Sequence, residues 1–170
     1  MGVKRIVLFL FLSLILTTAC YAGGFGFNVD YNKFQTSDAA DLFDLEGNGD
    51  FGLGARGEFG GNLALVLSFD YYFPESDIGS VDFYEFNGNL IYNVPTGGVR
   101  PYFGGGVGVA KVSLDTDFFS DSDTETGWNI LGGLKFGAGG INPFAEIRYV
   151  IYTGDESFNN RFVASFGILF

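Results

Sequence analysis

Eight times along this chain, apolar side chains alternate with polar or small ones over a stretch long enough for one β-strand. A period of two sends successive side chains to opposite faces of a strand, so each stretch presents one greasy face and one polar one. No helical period competes with it. Glycine, at 27 of 170 residues, is too frequent for a helical protein, where each one costs up to ~1 kcal/mol relative to alanine. In chain order the apolar faces are Phe25, Phe27, Val29, Tyr31; Phe51, Leu53, Ala55, Phe59; Leu63, Leu65, Leu67, Phe69, Tyr71; and Tyr84, Phe86, Leu90, Tyr92. They continue with Phe103, Val107, Val109; Trp128, Ile130, Leu134, Phe136; Ala145, Ile147, Tyr149, Ile151; and Phe162, Ala164, Phe166, Ile168, Phe170.

The breaks between stretches sort into two kinds. Gly60-Gly61-Asn62, Pro95-Thr96-Gly97-Gly98 and Gly139-Gly140-Ile141-Asn142 are tight turns,. Residues 36–50, 74–80, 114–125 and 153–160 read as long polar loops. Short turns at one end and long loops at the other predict an all-β fold, an eight-stranded antiparallel up-and-down transmembrane β-barrel, because that is how barrels of the outer membrane are laid out. The strand lengths agree with the ~9–11 residues that cross a bilayer with tilt.

Residues 1–22 read as a secretory signal peptide: Lys4 and Arg5 precede an apolar run, and small and polar residues follow it,. That run is too short for a spanning helix, which needs ~20 residues. Cys20 admits lipidation as a rival reading. Thr17-Thr18-Ala19-Cys20 has Leu16 one place too early for such a signal, so cleavage after Ala22 is expected. Residues 23–170 then form a single barrel without cysteine, exported to the cell outer membrane of a Gram-negative envelope and not held by disulfides.

Charge decides which face is the lumen. The four long loops carry Asp38, Asp41, Asp44, Glu46, Asp50, Glu75, Asp77, Asp115, Asp117, Asp121, Asp123, Glu125, Asp155 and Glu156, fourteen of the 20 acids, and no Lys or Arg. Within the strands, the faces opposite the aromatics carry Asp30, Arg56, Glu58, Asp70, Glu85, Lys135, Glu146, Arg148 and Arg161. Five acids against four bases suit a crowded interior where each charge finds a partner, because an unpaired buried charge is very costly. On strands, residues two apart point the same way, so Glu146 with Arg148 and Glu58 with Arg56 read as internal salt bridges. The aromatic faces then meet lipid, with Trp128, Lys33 and Lys111 as interface anchors. A soluble ligand-holding barrel of lipocalin type would have to pack every aromatic into a narrow lumen.

Three segments carry a family likeness. Arg100-Pro101-Tyr102-Phe103-Gly104-Gly105-Gly106-Val107-Gly108-Val109 and Phe144-Ala145-Glu146-Ile147-Arg148-Tyr149 resemble segments of small eight-stranded outer-membrane proteins of the OmpA/OmpX type, part of the porin family in its loose sense. Phe162, Phe166, Ile168 and Phe170, at alternate positions of the final strand, resemble the C-terminal signal by which the barrel-assembly machinery recognises members of that family. The resemblance implies outer-membrane lipid and lipopolysaccharide as surroundings, a monomer, and a structural or adhesive role through the loops. The chain reads as a barrel alone, without a periplasmic anchoring domain.

Chemistry has little to work with. The chain has no histidine, so a Ser or Asp nucleophile would lack the usual proton acceptor, and an envelope-lipid-modifying enzyme is the least favoured reading. No catalytic residue and no cofactor are expected. Asp115, Asp117, Asp121, Asp123 and Glu125 are the candidates for a calcium loop, since hard cations favour carboxylates, but their spacing departs from the helix–loop–helix pattern and a solvated acidic loop is expected. Acidic loops make nucleic acid an unsuitable partner and leave an extracellular ligand open. A narrow channel for small solutes or ions is the alternative function. Eight strands leave an interior just wide enough for side chains to fill, and Gly104, Gly106 and Gly108 are read as inward residues making room for larger neighbours.

Overall fold

The computed structural model describes residues 23–34, 49–74, 80–115, 120–137, 140–154 and 160–170. Residues 1–22, on which the expected signal peptide and Cys20 fall, lie outside them. So do Asp38, Asp41, Asp44, Glu46, Glu75, Asp77, Asp117, Asp155 and Glu156.

Eight strands follow in order: β1 (Gly23–Phe34), β2 (Asp50–Gly60), β3 (Leu63–Tyr72), β4 (Ser80–Asn93), β5 (Val99–Asp115), β6 (Ser120–Phe136), β7 (Asn142–Tyr152) and β8 (Arg161–Leu169). Each pairs antiparallel with its neighbours, and β8 returns to β1, closing the sheet. Closure follows from the composition, since an open sheet with these apolar faces would present two pairing edges. The short connections turn on glycines in the left-handed region: Gly60 (φ 126°), Gly98 (φ 80°) and Gly140 (φ 100°), a conformation that side chains with a Cβ rarely adopt.

Alternation holds around the wall. Phe27, Val29, Phe69, Phe86, Phe103, Ile130, Ile147 and Phe166 point outward and are exposed, while all nine charged residues on the opposite faces are buried. The lipocalin-type arrangement is thereby excluded. Tyr31 and Phe51, Tyr71 and Phe73, and Tyr149 and Phe162 pair their rings near the long-loop end. Trp128 stands exposed on the outer wall, and Lys33 points outward near the end of β1.

The glycines of β5 admit a close approach of β4. A Cβ at Gly106 would lie 2.6 Å from both the Cα and the Oδ1 of Asn89, and one at Gly104 would lie 2.8 Å from the Cα of Ile91. Their role is therefore to seat Asn89 and Ile91 in the lumen.

One expected loop is mostly strand. β5 and β6 remain paired to Asp115↔Ser120, and β4 follows β5 to Ser80↔Asp115, whereas β7 stops at Gly127↔Tyr152. A three-stranded ridge thus rises above the rim, its β6 edge running past β7 by ~23 Å at ~3.3 Å per residue. On its β6 edge the consecutive Ser122, Asp123 and Thr124 are all exposed, so this part of the strand needs no apolar side.

Candidate functional site

Inside the wall the charged residues meet across the lumen, and the partners differ from those expected along single strands. Arg56 on β2 reaches Glu146 on β7 at 2.7 Å, and the Tyr102 hydroxyl donates to the same carboxylate at 2.9 Å. Lys135 on β6 donates to both oxygens of Glu58 at 2.5 and 2.6 Å and to Asn93 Oδ1 at 2.7 Å. Arg148 spans Asp70 at 3.0 Å and Glu85 at 3.3 Å, and Glu85 also holds Arg161. The same-strand pairs Glu146–Arg148 and Glu58–Arg56 are not formed. Side chains two apart on a strand stand ~6.6 Å apart and nearly parallel, so long ones meet more readily with ends converging from the opposite wall.

Amides extend the Asp70–Arg148–Glu85–Arg161 group into a longer network. Asn129 donates to Asn87 Oδ1 at 2.8 Å and Asn89 Oδ1 at 3.0 Å, and Asn87 donates to Asp70 at 3.3 Å. Asp70 accepts from Ser68 at 3.1 Å and from Asn28 at 3.1 Å, while Asn28 also bridges to Asp30 at 2.8 and 2.9 Å. A continuous chain of polar contacts therefore runs from Asn129 through Asn87, Asp70, Arg148 and Glu85 to Arg161. Hydrogen-bonded charges of this kind rigidify an interior when their partners are present.

Two apolar clusters stand above and below that layer, and a reading that assigned the inward faces to polar residues missed them. Tyr72, Phe83, Ala110, Val150, Tyr152 and Val163 pack together toward the long-loop end. Ala64, Val66, Ile91, Tyr102 and Leu131 pack toward the short-turn end. Guanidinium and ammonium groups lie on rings of these clusters and on Phe144. Arg161 sits 4.9 Å from the Tyr72 ring centre and 4.6 Å from Phe83, Arg56 sits 4.7 Å from Phe144, and Lys135 sits 4.5 Å from Tyr102, contacts that gain strength when desolvated. Parity in the sequence carried the signal: Tyr72 is in phase with Asp70, Val66 with Ser68, and Val163 with Arg161.

The lumen is consequently filled. Between Asn28, Arg56, Asp70, Glu146 and Arg148 the free space is about 10 Å³, room for about one water. Among the described residues a larger space, about 330 Å³, opens as a vestibule at the short-turn end.

The other residues singled out in the sequence do not converge on a site. Phe162, Phe166, Ile168 and Phe170 are exposed on the outer face of the closing strand and its end. Asp115 and Asp121 lie in the paired ridge, where Asp123 accepts the amide of Thr124 at 2.8 Å. Asp123 and Glu125 stand two apart on β6. Among the described residues no group of three or more His, Cys, Asp or Glu is placed to hold a metal ion.

Comparison with known proteins places this barrel. Residues 7–170 match the family model of the outer membrane protein beta-barrel domain. Among solved structures, the Neisserial surface protein A is similar with a TM-score of 0.69 at 16% identity, covering 85% of this chain and 94% of that one. Ail, the attachment invasion locus protein of Yersinia pestis, gives 0.53 at 19% identity over 86% and 93%. The outer membrane enzyme PagL gives 0.55 at 14% identity over 85% and 97%. At such identities these likenesses establish the fold alone. No curated protein matches the chain. A match over nearly the whole chain, joined to a closed eight-stranded wall with its aromatics outward, establishes that the protein belongs to the outer membrane protein beta-barrel domain family and resides in the cell outer membrane.

Proposed function

We propose that this barrel is a non-enzymatic scaffold that presents an acidic surface outside the cell, with a structural or surface-interaction role. One observation carries the reading. The topology gathers the β1–β2, β3–β4, β5–β6 and β7–β8 connections at one rim; these contain no Lys or Arg, and together with Asp50, Asp115, Asp121, Asp123 and Glu125 on the adjoining strand ends they hold fourteen of the 20 acids. Long loops face the outside in such barrels. Ail has been solved in complex with the heparin analogue sucrose octasulfate. For this chain a polyanion of that kind would be repelled by the rim, so a cationic or cation-bridged partner is the one favoured. Cells displaying the protein are expected to bind a cationic surface several-fold better than cells displaying a variant with Asn and Gln in place of these fourteen acids. The difference should shrink as salt shortens the Debye length, and equal binding would sink the idea.

The channel alternative is opposed by the two apolar clusters and the charged layer between them. Refolded protein in planar bilayers is expected to show no sustained conductance, and repeated current steps from folded protein would make it a channel instead. The likeness to PagL concerns fold, and a chain without histidine lacks the base that acyl hydrolysis ordinarily employs. For assembly, the outward Phe162, Phe166, Ile168 and Phe170 would be read by the barrel-assembly machinery. Phe166→Ser is expected to lower the yield of folded protein in the outer membrane several-fold while barely altering refolding in detergent, and an unchanged yield would remove that role.

A further inference from the structure

The vestibule at the short-turn end is blind. Its floor is the Lys135–Glu58–Asn93 cluster, and the apolar group around Tyr102 and Leu131 lies beyond, so among the described residues it opens toward the periplasm. Its volume of about 330 Å³ falls at the small end of the range for ligand pockets, ~300–1,000 Å³. Arg100 lines it and is only half-buried. Its Nη2 donates to Asn142 Oδ1 at 2.7 Å, yet no carboxylate among the described residues lies within 4.0 Å of its guanidinium. Every lumen base, by contrast, has an acid: Arg56 has Glu146, Lys135 has Glu58, Arg148 has Asp70 and Glu85, and Arg161 has Glu85.

Charge in the vestibule therefore sums to positive, with Arg100 and Lys135 against Glu58, at the opposite end from the acidic rim. We propose that this vestibule is a binding site for a small oxyanion, a phosphate or carboxylate group entering from the periplasm and held by the Arg100 guanidinium. The remaining donors of that guanidinium form the fork that matches two oxygens of such a group. Asn142 positions the guanidinium through its carbonyl oxygen, and Glu58 limits affinity by keeping the Lys135 ammonium engaged.

The test uses the mature barrel, isotope-labelled, in uncharged detergent micelles and titrated with inorganic phosphate at constant ionic strength. Saturable shifts of the amide signals of residues 135 and 142 are expected. Arg100→Gln should weaken binding by about ten-fold or more, in line with the loss of a charge-assisted pair. Glu58→Gln should tighten it by releasing Lys135. Lys111→Gln, on the outer wall, should leave it unchanged. Repeating the titration in nanodiscs with anionic phospholipid separates the sources: signals already at their saturated positions identify a lipid headgroup, and signals that still titrate identify a soluble anion. Absence of a saturable shift in micelles would overturn the proposal. So would wild-type affinity in folded Arg100→Gln, or in Glu58→Gln should the first variant fail to fold.

Discussion

Glu85→Ala is expected to lower the stability of the barrel by about 3–5 kcal/mol, the range for removing one partner of a buried ion pair, as measured by urea unfolding in micelles. Glu85 is fully buried and holds two guanidiniums, those of Arg148 and Arg161. Arg148 would keep Asp70 at 3.0 Å. Arg161, also with no exposed surface, would keep the rings of Tyr72 and Phe83 but lose its carboxylate. Most of the expected loss is therefore the cost of removing the one carboxylate that two buried guanidiniums share. It follows that Glu85→Leu combined with Arg161→Met should recover most of the stability, since apolar side chains suit the cluster of Tyr72, Phe83, Val150 and Val163 around them. A single variant costing under about 1 kcal/mol, within the range of exposed pairs, would mean that the network is wetter than its geometry indicates. A double variant as unstable as the single one would assign the loss to packing.

The second large effect concerns the outer wall. Ile147 is 62% exposed at the middle of β7, between Ala145 and Tyr149 on the outward face and flanked by Gly132 and Ala164 across the strands. Ile147→Arg is expected to cost about 2–4 kcal/mol in a bilayer, the penalty for a cation at the midplane of such a wall. Val99→Arg, beside a short turn where headgroups and water are close, should cost no more than about 1 kcal/mol. Equal costs at the two positions would mean that the lipid boundary does not follow the aromatic band.

Much of this architecture was legible because the wall separates two solvents of opposite kind. Wherever one face meets lipid and the other meets polar lumen, as at Phe27 and Asn28 or Ile147 and Arg148, hydropathy alternates and strand, face and direction follow from it. The signal fails where both faces meet the same medium. Residues 120–126 are Ser and Thr alternating with Asp and Glu, a period of two that hydropathy does not register, and so the ridge looked like a loop. At the other extreme Tyr71 and Tyr72, or Phe162 and Val163, are apolar on both faces, which hid the clusters that fill the lumen. Pairing partners were illegible for another reason. Which acid meets Arg56 depends on how far each strand is sheared past the next around the whole circumference, a quantity that no single stretch of sequence contains.

The seam at which β1 meets β8, with Gly26 beside Leu169 and Phe34 beside Arg161, bears on how the molecule can come into being. All other strand pairs join neighbours in the chain and can form as hairpins, at small entropic cost. The seam joins segments separated by six other strands, so its closure must wait until β8 is available and must restrain nearly the whole chain at once. A product interrupted before β8 is not a smaller barrel but a curved sheet with two unsatisfied edges, a species that lipid excludes and that other chains can extend. Insertion and closure are in this sense a single event, and the interval before it is when the chain most needs a chaperone.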